Sequence, residues 1–274
     1  MDGSDIIRVF PRRTKATPSG PDVVIGRGPG LFDHPTAVRI SVAFTWDLPL
    51  ATDLQRQWQK IAPTEMGGPA CGDRGTDFVP GLNLKPGYVI TSRGCPNKCW
   101  FCSVWRREGH AIRELPITQG HNVLDDNLLA CSDDHIARVF DMLKNQSEPA
   151  QFTGGLEAAR LTDHHVNLLT NIRLKQMFFA YDTPDDLEPL QTAGKKLLQA
   201  FTKASHKLRA YVLVGAPNDS FHKATHRLRQ TWDAGFFPMA MLYRNQQGHQ
   251  PIPWKQFQRT WANPYITAAN LKQP

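Results

Sequence analysis

Cys95, Cys99 and Cys102 stand in the run Arg93-Gly94-Cys95-Pro96-Asn97-Lys98-Cys99-Trp100-Phe101-Cys102, with three residues between the first pair and two between the second. That spacing lets one short loop aim three thiolates at a single centre. Three protein ligands leave a coordination position free. An open position is what separates a catalytic metal centre from a sealed structural one. The alternative is a zinc site completed by His110, since three thiolates and an imidazole are a common structural set. Zinc loops more often come as two C-x-x-C knuckles, and only one is present here. Five cysteines in 274 residues are too sparse and odd for a disulfide framework. Cys71 and Cys131 read as small apolar residues. Two spare cysteines are too few for a second Cys-ligated cluster.

At these residues the chain resembles the radical S-adenosylmethionine (radical SAM) superfamily. The family pattern is Cys, three residues, Cys, two residues, Cys, usually with an aromatic before the last Cys, here Phe101. The resemblance implies that Cys95, Cys99 and Cys102 hold a 4Fe-4S cluster whose fourth iron chelates the amino and carboxylate groups of S-adenosylmethionine (SAM). It implies an external electron donor of the flavodoxin or ferredoxin type. It also implies reductive cleavage of the sulfonium to a 5′-deoxyadenosyl radical, which abstracts a hydrogen atom from the substrate. The protein's share is to bind, orient and exclude competing reactions. Phe101 is expected to pack near the adenine.

Composition bounds the rest. Hydrophobic residues are 41% and charged residues 21%, ordinary for a soluble globular protein. No apolar run approaches the roughly 18 residues of a membrane span, and residues 1–25 lack the apolar core of a signal peptide. Reduced thiols, a cytoplasmic location and no membrane partner are therefore expected. The net charge is +7 and the pI about 9.3. Arg12, Arg13 and Lys15 form one basic group, and Arg106 and Arg107 another beside the Cys loop. Such charge attracts polyanions, but no long basic block or nucleic-acid module accompanies it.

The elements that must position the loop follow from periodicity. Residues 1–36 are rich in Gly, Pro and charge and read as an extended or poorly ordered arm. A strand over 38–44 and a helix over 52–61, with Leu54, Trp58 and Ile61 on one face, form a small α/β unit within residues 37–80. A Gly-rich loop follows, through Gly81. From Tyr88 onward strands are expected at 88–90, 122–129, 151–153, 177–180, 210–214 and 239–242. Helices alternate with them, the first capped by Ser132 and the second by Thr162, with Gly235 read as a C-cap. Six β/α steps in about 160 residues imply a parallel sheet. The radical SAM core is typically a partial (β/α)6 TIM-type barrel, so residues 81–250 are read as that barrel. Residues 251–274 form a C-terminal helix and tail, with Trp254, Phe257 and Trp261 as a packing face.

In barrel-type sheets function collects at the C-terminal ends of the strands. After the second barrel strand, Asp125-Asp126-Asn127 stands where the family often has Gly-Gly-Glu contacting the SAM amino group, which nominates Asp126 and Asn127. A strand-end turn built from Asp and Asn is the alternative. After the third come Gly154, Gly155, Glu157 and Arg160. The glycines permit close backbone approach; Glu157 is a contact for SAM or substrate, or half of an ion pair with Arg160. After the fourth, Asp182 is placed for a ribose hydroxyl, just before a helix start at Thr183-Pro184. After the fifth, Gly215-Ala216-Pro217-Asn218-Asp219 resembles the family's Gly-x-Pro-Gly-Asp segment near the adenine. Asn218 replaces the second Gly there and tolerates positive φ.

Cobalamin-binding members carry a Rossmann-like domain ahead of the barrel, and residues 37–70 look like a short remnant of one. The Asp-x-His-x-x-Gly signature is absent, Asp33-His34 being followed by Pro35, so cobalamin is not expected. The reading is a radical SAM enzyme of unread reaction subclass, acting on a small molecule, a peptide or a nucleic acid. The rival is a non-catalytic iron–sulfur or zinc-binding protein.

Overall fold

The computed structural model describes residues 6–74, 78–201, 207–245, 247–248 and 250–271. Residues 1–5 of the expected arm and 75–77 of the Gly-rich loop lie outside them. Strands β1 (Ile6–Phe10), β2 (Val23–Ile25) and β3 (Ala37–Ser41) precede helix α1 (Leu48–Trp58) and strand β4 (Thr64–Gly67). They pair in the order β2-β1-β3-β4, all parallel. The stretch read as an extended arm thus carries two strands, and the N-terminal unit is a four-stranded sheet that starts at Ile6.

This sheet is covered by a helix on one face. Val9, Val24, Val38 and Ile40 pack with Ala51, Leu54 and Trp58 of α1. The strand period of two sends the alternate residues to the other face. There Arg8 stands opposite Arg39, and Arg39 opposite Glu65. That polar face helps line a cavity of about 850 Å³ shared with Ile90, Arg93, Glu108 and Leu124.

The second sheet begins with β5 (Tyr88–Val89). A hairpin of β6 (Ser92–Arg93) and β7 (Arg113–Glu114) follows, enclosing the Cys loop and the single turn α2 (Val104–Arg107). Then come β8 (Asn122–Val123), α3 (Asp133–Lys144), β9 (Ala150–Phe152), α4 (Asp163–Thr170), β10 (Leu174–Tyr181), α5 (Leu187–Ala200), β11 (Leu208–Val214), α6 (Phe221–Asp233) and β12 (Phe237–Leu242). All six long-range strands pair in parallel in the order β12-β11-β10-β9-β8-β5. Sequential order with helical crossovers is a partial (β/α)6 barrel, open between β5 and β12 among the described residues. Val89, Val123, Phe152, Met177, Phe179, Val212 and Ala240 fill its core. Ser132 caps α3 by accepting from His135 N–H at 3.2 Å, and Thr162 caps α4 through a capping box with His165.

The expected strand over 122–129 stops at Val123, and Leu128–Ala130 is a 3₁₀ turn. Asp125 turns inward to accept from Thr91 and Ser92, and Asp126 accepts from Gly94 N–H, so the chain leaves the strand path. The C-terminal segment forms two helices, α7 (Ile252–Ala262) and α8 (Pro264–Leu271). Trp254 and Phe257 pack on Phe221, and Trp261 is buried. Among the described residues no helix is long and apolar enough to cross a membrane.

Candidate active site

The Cys loop is tied down at both ends. Gly94 adopts φ 93°, where its missing side chain keeps clear of the Ala111 carbonyl oxygen. Its N–H donates to the Asp126 carboxylate at 2.9 Å. Cys102 N–H closes a turn onto the Cys99 carbonyl at 3.1 Å, and Trp105 Nε1 donates to the same carbonyl at 2.9 Å. At the loop's exit Glu108 is buried and accepts from Arg107 at 2.9 Å and Arg113 at 2.5 Å. Two guanidiniums therefore compensate one buried carboxylate. Trp100 of the loop lies 5.5 Å, ring to ring, from Tyr243 just past β12. The loop thus reaches across the barrel mouth.

Two of the three loop sulfurs accept N–H donors. Cys102 Sγ accepts from Val104 N–H, and Cys95 Sγ from Asn127 Nδ2, each at 3.5 Å. N–H···S contacts of this kind tune iron–sulfur potentials. Burial, then the neighbouring Cys102, Cys95 and Asp182, push the Cys99 thiol up to about 11. A bound cationic centre inverts that balance, because a coordinating thiol is deprotonated. Among the described residues one group alone brings three His, Cys or acidic ligand atoms within 4.8 Å of one another, and it contains none of these cysteines. A tetrahedral zinc with 2.3 Å bonds needs sulfurs about 3.8 Å apart. As they stand, the three sulfurs do not all lie within 4.8 Å of one another, wider than a closed zinc set. His110 stacks on Trp105 instead, with ring centroids 5.5 Å apart.

The strand ends converge on this loop. Asn127 Nδ2 donates to Glu157 Oε2 at 2.6 Å as well as to Cys95, while its Oδ1 is enclosed without a hydrogen-bond partner. Glu157 also pairs with Arg160 at 2.6 Å, so its ion pair and its place beside Cys95 coexist. Asp126 holds Gly94 and faces the loop's anchor. Burial raises its carboxyl above the ordinary value, against the Gly94 N–H. Gly154 packs directly on the Leu124–Asp125 backbone, whereas Gly155, at φ 104°, has open space where a side chain would be. Asp182 sits ahead of the Thr183–Asp186 capping box, close enough to raise the Cys99 thiol. Gly215 (φ 72°) backs onto Leu242 and Trp254 and donates to Asp219 at 2.8 Å; Asn218 does adopt positive φ, 66°. Phe101 is half-buried, edge-on to Trp100 at 5.4 Å.

Other residues of the site left no mark in the sequence pattern. Thr91 and Ser92 anchor Asp125, at 2.6 Å and 2.7 Å respectively, and both are fully buried. Phe44 and Trp46 of the N-terminal unit stack at 4.7 Å, and the Arg244 guanidinium lies 4.5 Å over Trp46. This places the β3–α1 connection against the chain just past β12. The short apolar run Ile6–Phe10, broken at Arg8, was the available signal for this unit.

Two outcomes follow from this geometry. Asn127→Ala removes a donor to Cys95 and Glu157 and an enclosed acceptor that no protein group satisfies. SAM affinity should fall by roughly 1.5–3 kcal/mol, about tenfold or more, as for a lost bond to a charged group. Iron content should stay the same; unchanged SAM binding by titration calorimetry would reduce Asn127 to a turn residue. The second concerns Asp182, whose carboxyl burial and Asp186 push up to about 7. A raised acid binds its proton more tightly when folded, so its stabilisation is complete below about pH 4 and is lost as the pH rises to about 7. In the iron-free protein, urea midpoints should drop between pH 5 and 8, and Asp182→Asn should remove most of that drop. An undiminished drop in the variant assigns the pH dependence elsewhere.

No family model and no curated protein matches the chain. Among solved structures it is similar to a radical S-adenosylmethionine methyltransferase, TsrM from Kitasatospora setae, solved with cobalamin and a [4Fe-4S] cluster bound. The TM-score is 0.59 at 10% identity, over 89% of this chain and 76% of that one. The similarity extends beyond the barrel, since it takes in most of the chain. The open parallel sheet, with a cysteine loop at its mouth, shares its fold with that methyltransferase.

Proposed function

We propose that the protein is a radical SAM enzyme. The observation that supports the reading is the meeting of Cys95 with Asn127 and Glu157, which come from the loop after β5 and from the ends of β8 and β9, at a loop that carries three cysteines. Cys95, Cys99 and Cys102 hold the 4Fe-4S cluster, which when bound supplies the electron for reductive SAM cleavage. Asn127 Oδ1 accepts from the SAM ammonium. Glu157, held by Arg160, fixes the Asn127 amide. Asp182 accepts from a ribose hydroxyl, Phe101 and the Gly215 turn flank the adenine, and Gly154 and Gly155 let the β9 end approach the ligand closely. Trp100 and Tyr243 narrow the mouth against water. An external flavodoxin- or ferredoxin-like protein supplies the electron. The nucleic-acid variant of this reading is weakened, because Arg107 is committed to Glu108 and Arg12 to Asp47. The test is anaerobic incubation with dithionite, SAM and fractionated small-molecule, peptide and RNA pools, followed by mass analysis. Release of 5′-deoxyadenosine that rises with one pool identifies the substrate class. An intact cluster that never cleaves SAM under any pool argues for a binding or electron-transfer role.

A second reading adds cobalamin, carried by the cavity of about 850 Å³ between the polar face of the first sheet and the barrel rim. TsrM was solved with cobalamin bound, and the Arg93 Nε in the cavity wall has no hydrogen-bond partner. Stoichiometric retention of hydroxocobalamin through gel filtration supports this reading; free elution leaves the cavity to the substrate.

A further inference from the structure

A second set of ligand-type side chains lies at the foot of the Cys loop. A carboxylate oxygen of Asp125, Cys131 Sγ and a ring nitrogen of His135 all lie within 4.8 Å of one another. Asp125 is 2% exposed and His135 1% exposed. Asp125 accepts from Thr91 N–H at 2.6 Å, from Thr91 Oγ1 at 2.5 Å and from Ser92 Oγ at 2.7 Å. The Ser92 main chain hydrogen-bonds the same carboxylate. Among the described residues no Lys or Arg pairs with this buried carboxylate. An uncompensated buried charge is costly.

His135 supplies the independent observation. Its Nδ1 faces Glu114 Oε2 at 3.7 Å. Its Nε2 is enclosed and has no hydrogen-bond partner. A metal-bound histidine typically turns its other ring N–H to a carboxylate, which fixes the tautomer and the ring. Glu114 is that carboxylate, held in turn by Ser132 N–H at 2.7 Å. Sulfur, imidazole and carboxylate together make a zinc-type donor set.

We propose that Asp125, Cys131 and His135 form a binding site for one zinc-type divalent cation, separate from the cluster, with Glu114 orienting His135. Zinc ligands stand roughly 3.3–3.8 Å apart, so closure by on the order of 1 Å completes the site. The role is positional. Ser92 and Glu114 are register partners in the β6–β7 hairpin, and His135 opens α3. The ion therefore pins the hairpin that carries the Cys loop to the helix behind β8.

The test uses the full chain with its cluster reconstituted, dialysed against buffered zinc and analysed for metals. One zinc per chain beyond the iron is expected. Cys131→Ala and His135→Ala should keep their iron and lose zinc affinity more than tenfold, and Glu114→Gln should weaken zinc about 10- to 100-fold. A Cys95→Ala/Cys99→Ala/Cys102→Ala triple variant should lose iron and keep the zinc. With cobalt(II) in place of zinc, the triple variant should show a thiolate-to-cobalt charge-transfer band, a readout that needs no change in the buried site. The proposal is overturned by absence of that band, by no metal beyond iron in the wild type, or by zinc that survives both single variants.

Discussion

Cys99→Ala, expressed and reconstituted without oxygen, should hold little of the roughly four irons per chain expected of the wild type. Cys95→Ala and Cys102→Ala should behave alike. Each removes one of three ligands from a loop that has no spare: the remaining cysteines, Cys71 and Cys131, lie outside it, and His110 is engaged with Trp105. Cys71→Ala and Cys131→Ala should keep the brown colour and the iron. Three of the loop's anchors do not involve the thiols: Gly94 N–H to the Asp126 carboxylate, Cys102 N–H to the Cys99 carbonyl, and the Trp105 indole N–H to the same carbonyl. The fold should therefore survive, and circular dichroism should separate lost ligation from lost structure. Stoichiometric zinc with no iron after reconstitution of the wild type, in place of a cluster, would falsify the assignment of the loop.

Gly154→Ala should be strongly damaging to the site. A Cβ there would stand inside contact distance of the Asp125 carbonyl oxygen, 2.7 Å from the Leu124 carbonyl carbon and 2.9 Å from the Asp125 nitrogen. All three are backbone atoms of the segment past β8, and that segment carries Asp125, Asp126 and Asn127. Backbone cannot swing aside as a side-chain tip can. Overpacking costs of about 1–3 kcal/mol or more follow, and β8 and β9 must separate. Both the unfolding midpoint and SAM affinity should fall. Gly155→Ala is the control. Nothing lies within 4 Å of its Cβ, and only the positive φ of 104° is penalised. It should cost about 1–3 kcal/mol of strain and leave the Asn127–Glu157 contact in place. Equal losses of SAM affinity in the two variants would contradict the packing argument.

What the sequence disclosed divides by range. The Cys loop stood out because its three cysteines lie close together in sequence. The barrel strands were legible because buried parallel strands read as apolar β-branched and aromatic runs, such as Met177–Ala180 and Ala210–Val214. Caps at Ser132 and Thr162 and the C-cap at Gly235 are local signals and stand where the spacing put them. The first two strands were hidden by long-range chemistry. Arg8 interrupts the apolar pattern of β1, and it is held by Asp22 and by the Gly81 and Leu82 carbonyls, 73 and 74 residues away. Leu124, Leu128 and Leu129 mimic a continued strand. Only the inward turn of Asp125 to Thr91, 34 residues back, shows why the strand ends. The link from Cys95 through Asn127 to Glu157 is of the same kind, since it exists because β8 and β9 are neighbours in the sheet.

The most direct measurement is the spectrum of the one-electron-reduced protein by electron paramagnetic resonance, with and without SAM. A four-iron cluster held by three cysteines, with its fourth iron open, predicts a signal that shifts when SAM is added, with hyperfine coupling to nitrogen when the SAM amino group carries ¹⁵N. Asn127→Ala should need more SAM to reach the same shift. A fully loaded, reducible cluster whose spectrum ignores saturating SAM would contradict the account.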